Sequence, residues 1–301
     1  MTKTISRRHR LLASFSHSAD IGSVGRFSPR CQRWMTHGFL GKLVKIPFSP
    51  EVTGLEHIPQ DRACLIVANH SAGLAFPETS GLAWLGANIK GLEGITVMSH
   101  PLGFHIPGIN FLLKEFGIIP STFNHAKEAL AAGVKVMVFP GGDYESMRPL
   151  WQAAQTDFAG RKGFLKLAKE GWVPILPVTI QGSHRTVPIL FRSKTLSWLL
   201  LLPRLLGVKW WSLTILGLIG TIFIVVFLGP SLGLGLTVAL IILWLGGPFS
   251  FLPIVPSTIR YQISKPLEPD ELFGEKSQPS NLVEYHKAYG MVTAAIRKGF
   301  T

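Results

Sequence analysis

Cysteine and charge are both scarce in this sequence. Only two of the 301 residues are cysteines, and 16% are charged, where a typical globular domain has about 25%. Two cysteines exclude a disulfide scaffold and a cysteine-based zinc site. The scarcity of charge, with 47% hydrophobic residues, excludes a disordered chain and argues against an ordinary, fully soluble enzyme.

Several familiar ligand-binding patterns are also missing. The sequence has no phosphate-binding Walker loop and no Gly-x-Gly-x-x-Gly after a strand. It has no His, Cys and carboxylate cluster with metal-ligand spacing, so we expect neither a metal nor an organic cofactor. Ser183 lies in Gln-Gly-Ser-His, which lacks the nucleophile elbow of many serine hydrolases and disfavours that class.

Acidic residues are few relative to basic ones. The net charge is +13, and residues 1–50 hold nine Lys and Arg but one acid, Asp20. Such a balance calls for an anionic partner, and anionic lipid headgroups fit better than nucleic acid because no nucleic-acid-binding motif is present. An organelle transit peptide is the alternative interpretation of the basic start.

Residues 210–259 contain no charged residue and no histidine. Two apolar segments, 210–228 and 231–247, are separated by Gly229-Pro230 and lie near the lower length limit for membrane-spanning helices. Basic residues flank the block on both sides, which predicts a membrane hairpin with both ends on the cytosolic face. A re-entrant lobe that never crosses the bilayer is the alternative.

The rest of the chain alternates short apolar runs with helical stretches. This alternation predicts an α/β fold with a mostly parallel sheet flanked by helices. Strands are expected at 63–68, 95–98, 134–139, 174–180 and 259–263, and helices at 78–88, 109–116, 126–132, 162–170 and 282–296.

Composition divides the chain into four parts. Residues 1–48 form a basic arm with an interfacial helix over 34–48, although a helix packed on the domain would show the same apolar stripe. Residues 49–196 form the first part of the α/β domain, 197–256 the membrane-embedded insertion and 257–301 the C-terminal strand and helix.

Candidate catalytic residues follow the first predicted strand. Asn69-His70-Ser71-Ala72-Gly73 comes where that strand ends, and Glu78 follows within the next helix. A histidine with a carboxylate on one ring nitrogen can take a hydroxyl proton with the other. A lone histidine at a strand end is more often a structural hydrogen-bonding group, so this pattern alone leaves both interpretations open.

A second candidate loop follows the strand predicted at 134–139. Its sequence is Phe139-Pro140-Gly141-Gly142-Asp143-Tyr144-Glu145. Paired glycines let backbone amides approach a ligand closely, and they also make tight turns. The pattern is compatible with either role.

Taken in order, these stretches resemble the lysophospholipid acyltransferase superfamily, and most closely its monoacylglycerol and diacylglycerol acyltransferase-like branch. The resemblance covers residues 52–182, with a weaker echo at 256–266. The matching stretches are 53–59, 69–73, Pro107-Gly108, 138–144, 161–164 and 173–178.

The resemblance implies transfer of a fatty acyl group from acyl-CoA or acyl carrier protein to a lipid hydroxyl. It makes His70 the general base, with backbone amides near Ser71–Gly73 or Gly141–Gly142 as oxyanion donors. The family pattern has an acid five positions after the histidine, where this chain has Ala75, so Glu78 takes the orienting role. Its other interpretation is an acid favoured at the start of a helix.

The resemblance also implies a set of substrate-binding residues. They are Asn69, Ser71, Gly73, Phe139, Pro140, Gly141, Gly142, Asp143 and Glu145. We add Arg148, Arg161 and Lys162 as cations for the phosphates of CoA or a lipid headgroup, with solvated helix faces as their other interpretation. The arginine with which the family binds a phosphate is absent, which favours a neutral acceptor such as a mono- or diacylglycerol. A lysophospholipid acceptor and a catalytically inactive lipid-binding scaffold are the alternatives.

Overall fold

The computed structural model describes residues 27–74, 76–92, 94–276 and 282–300. Most of the predicted basic arm, residues 1–26, therefore lies outside the described residues, as does Ala75. Within them, nine strands are β1 Glu51–Thr53, β2 Leu65–Ala68, β3 Ile95–Ser99, β4 Ile119–Pro120, β5 Lys135–Val138, β6 Ile175–Gln181, β7 Ile189–Ser193, β8 Trp211–Thr214 and β9 Arg260–Ile263.

Seven of these strands form one sheet in the order β1-β9-β6-β2-β5-β3-β4. The five from β6 to β4 are parallel, while β9 is antiparallel to β6 and parallel to β1. The five predicted strands are all present, and the mostly parallel α/β fold is confirmed. β1 and β4 are too short to show a pattern in the sequence.

Helices cover both faces of this sheet. The α-helices are α1 Pro29–Thr36, α2 Phe39–Phe48, α3 Phe76–Asn88, α4 Ile109–Glu115, α5 Phe123–Ala131, α6 Gly142–Ser146, α7 Gly163–Gly171, α8 Ser183–Thr186, α9 Lys194–Leu199, α10 Leu202–Leu205, α11 Ile215–Phe223, α12 Gly229–Gly246, α13 Pro269–Phe273 and α14 Leu282–Lys298. Successive β2 side chains alternate between the two core layers: Leu65 and Val67 pack with α5, α7 and α14, and Ile66 and Ala68 with α1–α3.

The predicted interfacial helix is two helices, α1 and α2, and it also packs on the domain. Met35, Val44 and Phe48 are buried against the core layer that includes α3. Phe39, Leu43 and Ile46 remain exposed on the outer face of α2. The apolar stripe of residues 34–48 thus divides into a domain-facing side and an outward side.

The hydrophobic insertion leaves the sheet after β6 and rejoins it at the neighbouring strand β9. Because β6 and β9 are hydrogen-bonded neighbours, the chain between them returns to the strand beside which it left. Before the predicted insertion at 197–256, the chain forms β7, which pairs with β8 of the insertion in a two-stranded antiparallel ribbon outside the main sheet. Buried Trp211 and Phe251 pack edge to face at the root of the lobe, with ring centroids 4.9 Å apart.

Residues 215–246 form a helical hairpin. By length and composition this apolar segment of 32 residues is long enough to cross a membrane, and few of its residues are buried. Gly233, however, has φ 72° and ψ 167°, which breaks the helix there. The indole nitrogen of Trp244 donates to the carbonyl of Gly217 at 2.9 Å, so the two arms lie side by side.

The hairpin predicted from sequence is therefore present, but its boundaries differ. Residues 211–214 are strand β8, and the turn is at Gly233 instead of Gly229-Pro230. Only glycine adopts the backbone conformation of Gly233 readily. At Gly229-Pro230, by contrast, the chain stays helical, directly after a π-helical turn at Ile224–Leu228. At 1.5 Å per residue, arm 234–246 reaches about 20 Å, less than the ~30 Å hydrocarbon core. This length favours the re-entrant alternative.

The hairpin turn is testable by disulfide cross-linking. A Cβ atom added at Gly229 would lie 3.5 Å from the Thr237 side chain. We expect the double variant Gly229→Cys/Thr237→Cys to form a disulfide readily, since native Cys31 and Cys64 are buried. In one straight helix these positions would be about 12 Å apart. Gel mobility after mild oxidation measures disulfide formation, and Gly229→Cys/Leu243→Cys is the control that stays reduced. Equal cross-linking of both pairs would contradict the turn.

Candidate active site

The carboxyl end of β2 is held in place by Asn69. Its side-chain amide donates to the carbonyl of Ile180 at 2.9 Å, and its Oδ1 accepts the N–H of Ile180 at 2.7 Å. Asn69 is buried, so these bonds to β6 satisfy a polar group that would be costly to leave unpaired. Asn69 thereby fixes where the next residue, His70, leaves the sheet.

His70 and Glu78 are in direct contact. The Nδ1 atom of His70 lies 2.6 Å from Oε2 of Glu78, and the Glu78 side chain is 0% exposed. The His70 ring stacks on Phe139, with centroids 4.5 Å apart. The acid eight positions after the histidine therefore does reach the ring nitrogen, because α3 starts at Phe76 and turns its first-turn acid back toward the loop.

The other carboxylate oxygen of Glu78 is held by serines. Its Oε1 accepts the Ser71 N–H at 3.0 Å, the Ser71 hydroxyl at 2.8 Å and the Ser183 hydroxyl at 2.6 Å. The Tyr261 hydroxyl donates to the Glu78 carbonyl at 2.5 Å. Glu78 is thus fixed by the β2 loop, by α8 and by β9, which leaves Oε2 to His70.

A cavity of about 600 Å³ lies above this pair. Polar and apolar groups share its wall, as is usual in small-molecule sites. Of the predicted site residues, His70, Gly73, Phe139, Pro140, Gly142, Asp143 and Arg161 line it, together with His100, Thr122, Leu74, Val208 and others. Because Nδ1 of His70 is engaged by Glu78, Nε2 is the ring nitrogen available to a ligand.

Most of the predicted oxyanion donors already have protein acceptors. The Ser71 N–H donates to Glu78, the Gly73 N–H to the Ser146 carbonyl at 2.9 Å and the Gly142 N–H to the Phe139 carbonyl at 3.1 Å. Oxyanion stabilisation by the amides near Ser71–Gly73 or Gly141–Gly142 stays a prediction, and each of the three engaged amides would have to leave its present acceptor to take part.

Asp143 and Arg161 form an ion pair in the cavity wall. Arg161 donates to Oδ1 of Asp143 at 2.9 Å and to the Gly141 carbonyl at 2.6 Å. Oδ2 of Asp143 accepts the N–H groups of Lys209 and Trp210 at 2.8 and 3.1 Å. Burial raises the pKa of Asp143, but Arg161 and the two amides outweigh it and hold that pKa below its ordinary value.

Glu145 and Arg148 are buried behind the site and do not line the cavity. Arg148 donates to Oε1 of Glu145 at 2.9 Å, and both side chains are almost fully buried. Oε2 of Glu145 accepts the backbone N–H of His70 at 3.2 Å. Burial raises the pKa of Glu145 to about 8, although Arg148 opposes the shift. The geometry of this pair suits positioning the loop after β2 more than binding a substrate.

Lys162 does not line the cavity. Its Nζ is 2.9 Å from Nε2 of His286, which is on the exposed side of the C-terminal helix. Gly141 is close-packed instead of open, because a Cβ there would lie 2.3 Å from Cβ of Glu145. Within the described part of the chain, no group of three His, Cys, Asp or Glu could hold a metal ion.

Sequence reasoning missed Ser183 and Tyr261 as site residues. Ser183 was considered only as a nucleophile, whereas its hydroxyl is a buried donor to Glu78. The available signal was its position two residues after β6, at the same sheet edge as His70. Nothing in the sequence marks Tyr261, which lies on a strand far along the chain.

Replacing Ser183 by alanine is expected to lower turnover about 10-fold or more while leaving KM for the substrates within about twofold. The reason is that Glu78 would lose one of the donors that orient it, and Ser183 does not line the cavity. Steady-state kinetics measure both parameters, with Ser183→Thr as the conservative variant that should recover activity. Ser197→Ala removes a buried hydroxyl elsewhere as a matched control. An unchanged turnover in Ser183→Ala would remove Ser183 from the site.

Glu145 predicts a pH-dependent stability. The folded protein keeps this carboxyl protonated up to about pH 8, whereas the unfolded chain releases the proton near its ordinary pKa of 4.5. The tighter proton binding by folded Glu145 stabilises the folded protein. This contribution is complete below about pH 4.5 and is lost as pH rises through 8. Glu145→Gln cannot ionise, so its Tm relative to wild type should rise with pH between these values.

Differential scanning fluorimetry across that pH window makes the measurement, and Glu56→Gln at an exposed position is the control. A constant Tm difference between Glu145→Gln and wild type would show that Glu145 titrates outside this window.

Known proteins resemble this chain over its first part. A family model described as acyltransferase matches residues 49–181. An uncharacterized protein of Mycobacterium tuberculosis is 28% identical over 207 residues, 69% of this chain and 55% of that protein. A Bos taurus protein named "DGAT1/2-independent enzyme synthesizing storage lipids" is 29% identical over 151 residues, 50% of this chain and 43% of that protein.

Two further likenesses come from named acyltransferases. A Brassica napus chloroplastic 1-acyl-sn-glycerol-3-phosphate acyltransferase is 25% identical over 168 residues, 50% of this chain and 44% of that protein. The crystal structure of the acyltransferase PlsC from Thermotoga maritima aligns with a TM-score of 0.48 at 17% identity, covering 90% of this chain and 79% of that one.

The chain spans about half the length of the curated relatives it matches. The family model nonetheless coincides with the part that carries the predicted motifs and the buried His70–Glu78 pair. Residues 49–181 of this chain match the acyltransferase family model, and relatives named as lipid acyltransferases or storage-lipid-synthesizing enzymes resemble about half of the chain.

Proposed function

We propose that this protein transfers a fatty acyl group from an acyl thioester, acyl-CoA or acyl carrier protein, to the hydroxyl of a neutral glycerolipid. The observation that carries the proposal is the buried His70–Glu78 contact, 2.6 Å long, beneath a cavity of about 600 Å³. The family, and a relative named as a storage-lipid-synthesizing enzyme, support the reaction class.

The His70–Glu78 pair suits general-base catalysis. With Nδ1 hydrogen-bonded to Glu78, Nε2 accepts the proton of the acceptor hydroxyl as its oxygen attacks the thioester carbonyl. The carbon–oxygen ester bond forms and the carbon–sulfur bond breaks, so the thiol leaves with the proton returned from His70. Glu78 stabilises the imidazolium that exists between these two proton transfers.

The charges in the cavity wall favour a neutral acceptor. Arg161 is the arginine that lines the cavity among the described residues, and Asp143 already pairs with it. Arg148, the other arginine near the loop, is buried against Glu145. A phosphate monoester would need an available guanidinium, which this wall does not offer without breaking an ion pair.

A lysophospholipid acceptor is the second candidate. The named Brassica napus relative acts on 1-acyl-sn-glycerol-3-phosphate by its name, and Arg161 could exchange Asp143 for a phosphate. An inactive lipid-binding scaffold is the third. The intact His70–Glu78 contact weighs against it, because Ala75 at the usual acid position was its support.

Membrane association is part of the proposal. Large apolar side chains are exposed along both hairpin arms, for example Phe223, Phe227, Leu234 and Leu243. Exposed apolar surface of this extent is costly in water and fits a bilayer. The basic flanks Arg204, Lys209, Arg260 and Lys265 favour a catalytic domain on the cytosolic face.

The direct test is thiol release from acyl-CoA or acyl carrier protein by the purified protein. Monoacylglycerol, diacylglycerol and lysophospholipids are offered in parallel. We expect release that depends on a neutral acceptor and that falls about 100- to 10,000-fold in His70→Ala, since a general base contributes that much. Glu78→Gln should lower turnover at least about 10-fold because it loses the charge facing His70.

Each alternative has its own result. Faster release with lysophosphatidate than with any neutral acceptor would select the second candidate. Turnover unchanged in Glu78→Gln but abolished in His70→Ala would remove the orienting role of Glu78. No thiol release by either wild type or His70→Ala with both thioester donors would select the inactive scaffold.

A further inference from the structure

The root of the hydrophobic insertion is exclusively cationic. Residues 182–259, between the end of β6 and the start of β9, contain no Asp and no Glu, but they contain five Lys and Arg. This stretch includes β7, β8, both hairpin arms and the return to β9. Its positive charge is therefore not offset by acids of its own, in contrast to the surface salt bridges of the α/β domain.

Three of these cations lie beside exposed or half-exposed tryptophans. Lys194 Nζ lies 5.0 Å from the ring centre of Trp210, and the Arg204 guanidinium lies 4.4 Å from that of Trp198. Lys209 is exposed and adjoins Trp210 in the chain. We call Lys194, Trp198, Arg204, Lys209 and Trp210 the root belt.

Arg192 is excluded from the root belt. Its guanidinium lies 3.7 Å from the ring centre of Tyr144 and donates to the Tyr144 carbonyl, so it is used inside the protein.

Apolar side chains border the root belt. Leu199 is 68% exposed, Leu201 59% and Leu205 81%, and the exposed hairpin arms continue the apolar surface. Tryptophans and cations beside a broad apolar surface are the arrangement found at the headgroup level of membranes. A soluble partner would have to cover the leucines as well as neutralise the cations.

The root belt also touches the candidate active site. The backbone N–H groups of Lys209 and Trp210 donate to Asp143, and Val208 lines the cavity. The depth of the root belt in a membrane would therefore also set the depth of the cavity wall in that membrane.

We propose that the root belt binds anionic phospholipid headgroups of the membrane in which the hairpin is embedded, and so places the cavity at headgroup depth. The proposal rests on the membrane association stated under the proposed function. The apolar hairpin supplies affinity for any bilayer, while Lys194, Arg204 and Lys209 add preference for anionic ones.

The test is partition of the full chain between detergent-free buffer and vesicles, measured by flotation. One vesicle type is phosphatidylcholine alone, and the other contains phosphatidylglycerol as well. We expect wild type to prefer the anionic vesicles and Lys194→Gln/Arg204→Gln/Lys209→Gln to lose most of that preference. A cation near an anionic surface is worth about fivefold, so three give about 100-fold at low salt.

A matched control removes three cations elsewhere. Lys90 and Lys265 lie toward the opposite edge of the sheet, at the end of α3 and just after β9, and Lys287 is on α14. Lys90→Gln/Lys265→Gln/Lys287→Gln has the same net charge as the belt variant and should keep the anionic preference. Both variants should bind phosphatidylcholine vesicles as wild type does.

Several results would overturn the proposal. The belt variant could keep the full anionic preference, which would place the headgroup contacts elsewhere, for example in residues 1–26. The two triple variants could lose it equally, which would make it an effect of net charge. Salt-sensitive RNA binding that only the belt variant loses, without anionic lipid preference, would assign the belt to nucleic acid.

Thiol release in neutral detergent micelles separates this proposal from the proposed function. There we expect the belt variant to match wild type, since its three side chains lie outside the catalytic machinery. A chain that binds anionic vesicles through the belt but releases no thiol would contradict only the transferase. A transferase without anionic preference would contradict only the belt.

Discussion

The hydrogen bond between His70 and Glu78 is the constraint on which the site depends. Four separate parts of the fold converge to hold it: the loop after β2, the first turn of α3, Ser183 on α8 and Tyr261 on β9. A buried carboxylate is tolerable only when its oxygens are paired, and here every partner also fixes its direction. The proposed base is thereby oriented before any substrate binds.

The hydrophobic insertion is joined to this site as well as to the membrane. Phe251 at its root packs so closely on Gly73 that a Cβ there would lie 2.2 Å from the ring, and Asp143 accepts two of its backbone N–H groups. A lobe that merely anchored the protein would not need contacts to both loops that carry the predicted site residues. The root of the insertion therefore supports the cavity wall, while the hairpin carries the exposed apolar surface that we propose faces lipid.

The sequence predicted the central sheet, the His70–Glu78 pair and the hairpin, because each leaves a local signature: apolar runs of strand length, residues at a strand end, and an uncharged block. It could not predict the turn at Gly233, since Gly229-Pro230 looks equally capable of turning. The packing of Trp244 on Gly217, which goes with the turn at Gly233, is a tertiary contact that the sequence does not reveal. The sequence predicted Glu145 and Arg148 as substrate-binding residues because they follow the Phe139–Gly142 motif, whereas the structure buries both side chains, with Arg148 hydrogen-bonded to Glu145. Ser183 needed the tertiary fold to reach Glu78.

The tautomer of His70 tests the central claim most directly. Nitrogen-15 NMR of histidine-labelled protein, with the His70 signals identified by their absence in His70→Ala, distinguishes a protonated Nδ1 from a protonated Nε2. The account predicts that neutral His70 carries its proton on Nδ1, hydrogen-bonded to Glu78, and that Glu78→Gln disturbs this signal while Glu56→Gln does not. A proton on Nε2 in the wild-type protein would contradict it, because that nitrogen could not then accept the proton of a lipid hydroxyl.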